Sequence, residues 1–311
     1  MRWNSSELAN AVSAAERRFT EAGVASPSYD ARFIAASLLD VSSHISLPFT
    51  SPTEIPDGFF ARFEEAVSRR EKREPLQHII GTAPFGNHDL KVGPGVFIPR
   101  PETEVLAEWA VAAFAEYLDS LSDDEIDAPD FQPVVVDLGT GSGALAIYIA
   151  QRVDADLVIG VEKSPVALAA ARANADEHGG RGAEIQIISG DMTDPHLLEE
   201  YSGKVGLVVA NPPYVPFEPE ESGALQPEIY HDPSEAVFSG ADGMDAIRGL
   251  IPVAARLLAP GGKLGIEHDD STAGHTRELV DKHGAFARVE NLADLTGRDR
   301  FVTASKLREI D

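Results

Sequence analysis

Four consecutive residues, Asn211-Pro212-Pro213-Tyr214, carry the plainest chemistry in the sequence. Two prolines fix φ and remove two backbone donors, so the carbonyl groups beside them are free to accept, and Asn211 adds a side-chain carbonyl. An NH2 group on a planar carrier offers two N–H donors to such a set of acceptors. Its lone pair is delocalised, which makes it a poor nucleophile. Fixed acceptors favour the electron-rich, pyramidal nitrogen of a transition state over the planar ground state. Tyr214 is placed to pack on the planar carrier. With a good leaving group on the donor, alignment for in-line displacement supplies much of the remaining acceleration, and no strong general base is demanded.

A second chemical segment, Asp137-Leu138-Gly139-Thr140-Gly141-Ser142-Gly143, follows Val134-Val135-Val136 and leads into a helical pattern over 144–151. Glycines on a first strand-to-helix turn let the backbone approach a ligand where open α/β sheets bind one. Taken alone the loop serves two ligands, since Gly139, Gly141 and Ala144 also satisfy the dinucleotide fingerprint. Asp137 tilts the reading towards S-adenosylmethionine: its charge suits an ammonium and a sulfonium and would repel a pyrophosphate. Gly143 completes a D-x-G-x-G-x-G form. Glu162, nineteen residues further on, ends the next strand and is suited to accept both ribose hydroxyls, a role common to both ligands. Asp191, in Ser189-Gly190-Asp191-Met192, is suited to accept from an adenine amino group, with Met192 against the ring.

These residues need a scaffold that brings strand ends together. Apolar runs at 134–136, 157–159, 185–188, 205–210 and 264–266 alternate with helical patterns, which predicts an α/β fold with a doubly wound, mostly parallel sheet. Ahead of it, Leu8, Val12, Ala15 and Phe19 recur at helical spacing, and further helices are expected over 29–39 and 56–70. Residues 79–98 hold Gly81, Gly86, Gly93 and Gly95 among residues of strand character, so a β-hairpin is expected there. The acidic, proline-bearing stretch 120–133 reads as a loop. The expected organisation is a small N-terminal helical domain over 1–78, a linking β-hairpin over 79–98 and a catalytic domain over 99–311. A chain of 311 residues suits one large domain and a smaller one.

Composition narrows the function. There is no cysteine, which excludes disulfides, thiolate metal sites and a cysteine nucleophile. His268, His275 and the aspartates near them read as loop residues, with no metal site expected. Lys and Arg total 26 against 51 for Asp and Glu, a formal charge of −25. Affinity for phosphate backbones comes from basic residues, so no stable binding of nucleic acid is expected. No apolar stretch has membrane-spanning length and the N-terminus lacks the shape of a secretory signal, so a cytoplasmic protein is expected.

Together, Gly139-Thr140-Gly141-Ser142-Gly143, Asn211-Pro212-Pro213-Tyr214 and Phe97-Ile98-Pro99-Arg100-Pro101-Glu102-Thr103-Glu104 resemble the peptide chain release factor glutamine methyltransferases, the HemK/PrmC family. The resemblance runs over nearly the whole chain and extends to Arg73-Glu74-Pro75-Leu76-Gln77 and Ala259-Pro260-Gly261-Gly262. It implies a Rossmann-like methyltransferase domain, S-adenosylmethionine as cofactor with S-adenosylhomocysteine as product, and methylation of the glutamine in the Gly-Gly-Gln loop of class I release factors, with translation termination as the process affected. The helical module would help to bind that protein. By matched position, Asn211 and Pro212 would hold the amide, and Phe97 and Tyr214 would pack against the glutamine, with Pro213 beside them. Asp137, Gly139, Thr140, Gly141, Gly143, Glu162, Asp191, Met192 and Asn211 would contact the cofactor. Arg100 and Glu102 would brace the loop over the site. Glu162-Lys163 stands where the family often has a shorter aspartate, and Glu267-His268-Asp269-Asp270 replaces a glycine-containing turn; neither is expected to touch the transfer chemistry.

Other readings remain open on the residues. An amino-group methyltransferase of DNA or RNA bases would share the Asn211 segment but would carry a basic extension, absent from this sequence. A nicotinamide-dependent oxidoreductase would use the glycine loop alone. A binding module without activity would tolerate loss of Asn211.

Overall fold

Leu8, Ala15 and Phe19 fall on one face of α1 (Ser5–Glu21) and are buried, as their helical spacing requires. In the computed structural model, residues 5–40, 55–129, 131–180, 182–217 and 225–308 are described. α2 (Pro27–Leu38) starts on a proline, whose missing N–H would have no intrahelical partner there. α3 (Phe59–Glu71) adds Phe59, Phe63 and Val67 to the same core, and the short α4 (Leu76–Ile80) adds Leu76. On α3, Arg70 is buried against Asp30 at 2.7 Å and reaches Glu228 at 3.1 Å. Arg73 grips both carboxylate oxygens of Glu228 at 2.7 Å each. Met1–Thr82 and Leu225–His231 accordingly form one unit, and Ala83–Ala224 with Asp232–Asp311 form the other.

That division departs from the expected boundaries in two ways. The segment 225–231 joins the helical unit through Glu228, which no local pattern announces. The expected linking hairpin is shorter than 79–98: Gly81, at φ 89°, closes α4, and only β1 (Thr82–Phe85) and β2 (His88–Lys91) pair. Phe85 and Leu90 then insert among Phe114, Leu145 and Tyr148, so the hairpin packs into the larger unit's core.

The larger unit continues with α5 (Thr103–Asp119) and α6 (Asp123–Ile126), the latter a single turn in the stretch expected to be loop. Ser122 and Glu125 close a capping box there, which satisfies two otherwise orphaned donors. Next come β3 (Val134–Leu138), α7 (Ala144–Ala150), β4 (Leu157–Glu162), α8 (Pro165–His178), β5 (Glu184–Ser189) and β6 (Val205–Ala210). The chain ends with α9 (Ser234–Val237), α10 (Asp245–Leu257), β7 (Leu258–Glu267), α11 (Ala273–Lys282), β8 (Phe286–Ala293) and β9 (Asp299–Lys306).

Seven strands lie in the order β5-β4-β3-β6-β7-β9-β8, parallel from β5 to β7, with β9 antiparallel to both its neighbours. Along β3, Val134, Val136 and Leu138 pack with α10 on one side, while Val135 packs with α5 and α7 on the other. Both faces are covered, which is why these strands read as continuous apolar runs. From β3 the chain winds outward to β5, then returns to place β6 on the other side of β3. This reversal is a topological switch point, where the carboxyl ends of the strands open into a crevice.

Candidate active site

The crevice holds a cavity of about 390 Å³ whose floor is the turn after β3, at Gly139, Thr140 and Gly141. Gly139 and Gly141 have φ of 82° and 59°, a region that L side chains avoid. A Cβ on Gly139 would come within 2.5 Å of Met192 Cε, so Met192 lies directly on the bare backbone. A Cβ on Gly141 would meet nothing within 4 Å and would project into open space. Gly143, which caps α7, is off the cavity wall and packs near Ile147 and Ala171.

Glu162 and Asp191 also line the cavity. Glu162 accepts from the Gly141 N–H at 2.9 Å and the Ser164 N–H at 2.7 Å, fastening the glycine turn to the end of β4. Its burial raises its pKa. Asp191 accepts from Lys163 Nζ at 2.9 Å and from Thr193 N–H and hydroxyl at 2.9 and 2.7 Å. The Lys163 bond is the main reason its pKa lies at about 2. An open glycine cradle flanked by two acceptors fits the methionine, ribose and adenine portions of S-adenosylmethionine.

Asp137 departs from the expectation of direct ligand contact. It is fully buried behind the turn, accepts from Thr140 Oγ1 at 2.6 Å and is off the cavity wall. Burial pushes its carboxyl up to about 7. Its observed contact shapes the turn by holding Thr140.

Asn211 and Pro213 line the cavity after β6, together with Phe97 and Thr103. Pro212 is buried, and its carbonyl has no hydrogen-bond donor among the described residues. Phe97 is half-buried under the Arg100 guanidinium, 4.9 Å from the ring centre, and Arg100 is paired with Asp232 at 2.5 Å. These contacts hold Arg100 beside Phe97.

Tyr214 turns away from the cavity wall: its hydroxyl donates to Glu267 Oε1 at 3.1 Å. Burial and then the Glu267 charge raise the hydroxyl's pKa well above that of an ordinary tyrosine. Thr103 Oγ1 donates to Glu267 Oε2 at 2.8 Å and accepts from Asn211 Nδ2 at 3.2 Å. Glu267 lies at the end of β7, beside β6, where Ala210 is in register with Ile266. Burial pushes its carboxyl up to about 7.

Thr103 and Glu267 therefore belong to the site, against the expectation that the segment beginning at Glu267 stands apart from it. The sequence does carry a signal for Glu267. Like Asp137 and Glu162, it is an acid ending an apolar strand. His268 is likewise no exposed loop residue: it is buried, with Nδ1 at 2.8 Å from the Asp269 carbonyl.

A doubly wound sheet whose glycine turn and proline-stiffened asparagine turn share one cavity defines a Rossmann-like, S-adenosylmethionine-dependent methyltransferase. Residues 10–81 match the family model described as the PrmC N-terminal domain, and residues 135–231 match one described as a methyltransferase domain. A release factor glutamine methyltransferase of Corynebacterium glutamicum is 49% identical over 96% of this chain and 99% of its own length. One from Mycobacterium tuberculosis is 41% identical over 96% and 91%. A 4-amino-L-phenylalanine/4-methylamino-L-phenylalanine methyltransferase of Streptomyces pristinaespiralis is 39% identical over 84% and 82%. Among solved structures, the hMettl16 catalytic domain in complex with a MAT2A 3′UTR hairpin shares the fold at a TM-score of 0.51 and 13% identity, over 82% of this chain and 83% of that one. The chain belongs to the release factor glutamine methyltransferase family.

Proposed function

We propose that this chain methylates the side-chain amide nitrogen of the glutamine in the Gly-Gly-Gln loop of class I release factors, in the cytoplasm, modulating translation termination and leaving S-adenosylhomocysteine. The observation that carries the reading is the orientation of Asn211. Its Nδ2 is committed to Thr103, which leaves Oδ1 as the free acceptor of a residue that lines the cavity. The next residue, the buried Pro212, has a carbonyl with no donor among the described residues.

S-adenosylmethionine, when bound, supplies an electrophilic methyl group on a sulfonium leaving group. Glu162, Asp191 and the Gly139 to Gly141 turn hold it; Asn211 Oδ1 and Pro212 O accept the two N–H groups of the substrate amide. As the nitrogen pyramidalises its N–H bonds become stronger donors, so fixed acceptors favour the transition state. The nitrogen would gain the methyl as the donor's sulfur–methyl bond breaks, and would lose one proton to solvent water. Phe97, steadied by Arg100, forms an apolar side of the glutamine slot, whereas Tyr214, expected to share that role, is turned away from the cavity and held by Glu267. The helical unit contributes to release factor binding.

The test is mass spectrometry of a class I release factor incubated with the enzyme and S-adenosylmethionine. One added methyl on the loop glutamine is expected. An unmodified release factor, or equal labelling of a variant with that glutamine changed to alanine, would overturn the reading. Methylation of DNA, RNA or an aromatic amine in its place would identify another planar NH2 acceptor.

A further inference from the structure

Which end of the Asn211 amide faces the cavity is decided behind it. A carboxylate has no proton to give, so Glu267 accepts from both hydroxyls beside it, Thr103 at 2.8 Å and Tyr214 at 3.1 Å. Thr103 has a single hydroxyl proton. With that proton committed to Glu267, Oγ1 can only accept from the amide, and the partner at 3.2 Å is Asn211 Nδ2. The two ends of the amide are told apart, and Oδ1 is left for the acceptor. The reverse arrangement would set an N–H of Asn211 against the N–H groups of the substrate.

A carboxylate buried against two hydroxyls is a costly choice where an uncharged residue could fill the space. Glu267 is 2% exposed and Thr103 3%, and no ion pair reaches Glu267 among the described residues. What the carboxylate alone can do is impose a direction on the chain of hydrogen bonds. We propose that Glu267, acting through Thr103, is a positioning residue that fixes the Asn211 amide with its oxygen towards the acceptor nitrogen. The proposal rests on the reading of Asn211 as the acceptor of substrate N–H bonds.

The groups that face Glu267 are Thr103 and Glu102 at the start of α5, Tyr214 after β6 and Arg300 on β9. Burial holds the carboxyl at about 7 despite the opposing effect of Arg300. Once protonated, Glu267 can donate to Thr103, which frees the Thr103 proton for Asn211 Oδ1 and lets the amide turn over. Turnover is therefore expected to rise with pH through the neutral range.

The experiment compares Thr103→Val, Thr103→Ser and Glu267→Gln with Asn211→Ala in the full chain, using S-adenosylmethionine and a class I release factor. For Thr103→Val the expected result is a kcat lower by roughly ten- to hundredfold, with cofactor Kd within about threefold of wild type. Thr103→Ser, which restores the hydroxyl, returns kcat to within about threefold of wild type, a rescue that tests the hydrogen bond itself. Glu267→Gln lowers kcat and removes the neutral-range rise with pH. Because Thr103 acts through Asn211, adding Thr103→Val to Asn211→Ala causes no further loss of kcat.

Wild-type kcat in folded, cofactor-binding Thr103→Val and Glu267→Gln variants would overturn the proposal, as would losses for Thr103 and Asn211 that multiply. Should Thr103→Val fail to fold, Glu267→Gln and its pH profile decide the same question. A fully active Asn211→Ala would sink the underlying reading of Asn211, a failure distinguishable from the loss of the Thr103 and Glu267 roles alone.

Discussion

Replacing Gly141 with alanine separates what the glycine turn needs in order to fold from what it needs in order to bind. At φ 59° the added Cβ meets no atom within 4 Å, so the folding cost is that of a left-handed non-glycine residue, about 1–2 kcal/mol. At about 2–4 °C per kcal/mol for a domain of 150–250 residues, the melting temperature should fall by roughly 2–8 °C. The same methyl projects into the cavity that Gly141 lines. Crowding a fitted ligand by one methyl costs about 1–3 kcal/mol, which corresponds to a cofactor Kd weaker by roughly 5- to 150-fold. Gly139→Ala in the same turn is the contrast: its Cβ would reach Met192 Cε at 2.5 Å, the flexible end of that side chain, so Met192 should move aside at little further cost in stability. Calorimetric titration with S-adenosylmethionine and a thermal melt read both effects. A folded Gly141→Ala protein with wild-type cofactor affinity would refute the placement of the cofactor against this backbone.

Asn211→Ala should lower kcat by about 10²–10³, the usual effect of removing one fixed transition-state partner, with cofactor Kd within about threefold; a collapse of cofactor affinity would refute its role towards the acceptor. Asp137 sits at about 7 when folded and at about 3.9 when unfolded. The native state thus binds the extra proton between those values, and its stability declines as pH rises through them. Asp137→Asn carries no charge, so the difference between its urea midpoints at pH 5 and pH 8 should be smaller than in the wild type, and an equal difference would count against a buried carboxylate as the cause. Arg70→Ala strands Asp30, whose side chain is 8% exposed, and should destabilise the helical unit by about 3–5 kcal/mol; a loss below about 1 kcal/mol in denaturant would show that Asp30 finds other partners.

Local chemistry made part of the site legible. A glycine turn after an apolar strand, an acid at the end of β4 and a proline-stiffened exit from β6 each occupy a few consecutive residues, and the alternation of strands with helices predicts which sheet edge they share. Asp137 misled because the residue type suits a cation, whereas its side chain points along the covered face of β3. Thr103 and Glu267 stayed hidden for a different reason. Their meaning lies in a bond between residues 164 positions apart, fixed only when β7 docks beside β6. Glu228 is similar: an ordinary glutamate in sequence, it places its segment in the helical unit only because Arg70 on α3 and Arg73 just beyond its end converge on it. The final β8 and β9 were likewise not legible in the sequence, because charged residues such as Arg288, Glu290, Asp299 and Arg300 interrupt any apolar run there.

The arrangement also separates the choice of reacting group from the choice of its carrier. On the proposed reading, Asn211 Oδ1 and the Pro212 carbonyl would recognise two N–H donors on a conjugated nitrogen, and the Thr103 and Glu267 hydrogen bonds would make that recognition one-directional. Nothing in this set reads what the nitrogen is attached to beyond a flat group that fits beside Phe97. A carboxamide and a ring amine satisfy it alike, so discrimination has to come from surfaces that meet the rest of the acceptor molecule. A chain with 51 acidic against 26 basic side chains has a field that repels polyphosphate carriers at long range. A net charge of this sign would favour a protein-borne amide over a polyphosphate carrier, as the proposed release factor substrate requires. If the proposed roles hold, the acceptor nitrogen would be chosen within the larger unit, and the carrier by net charge and by whichever surfaces meet the release factor.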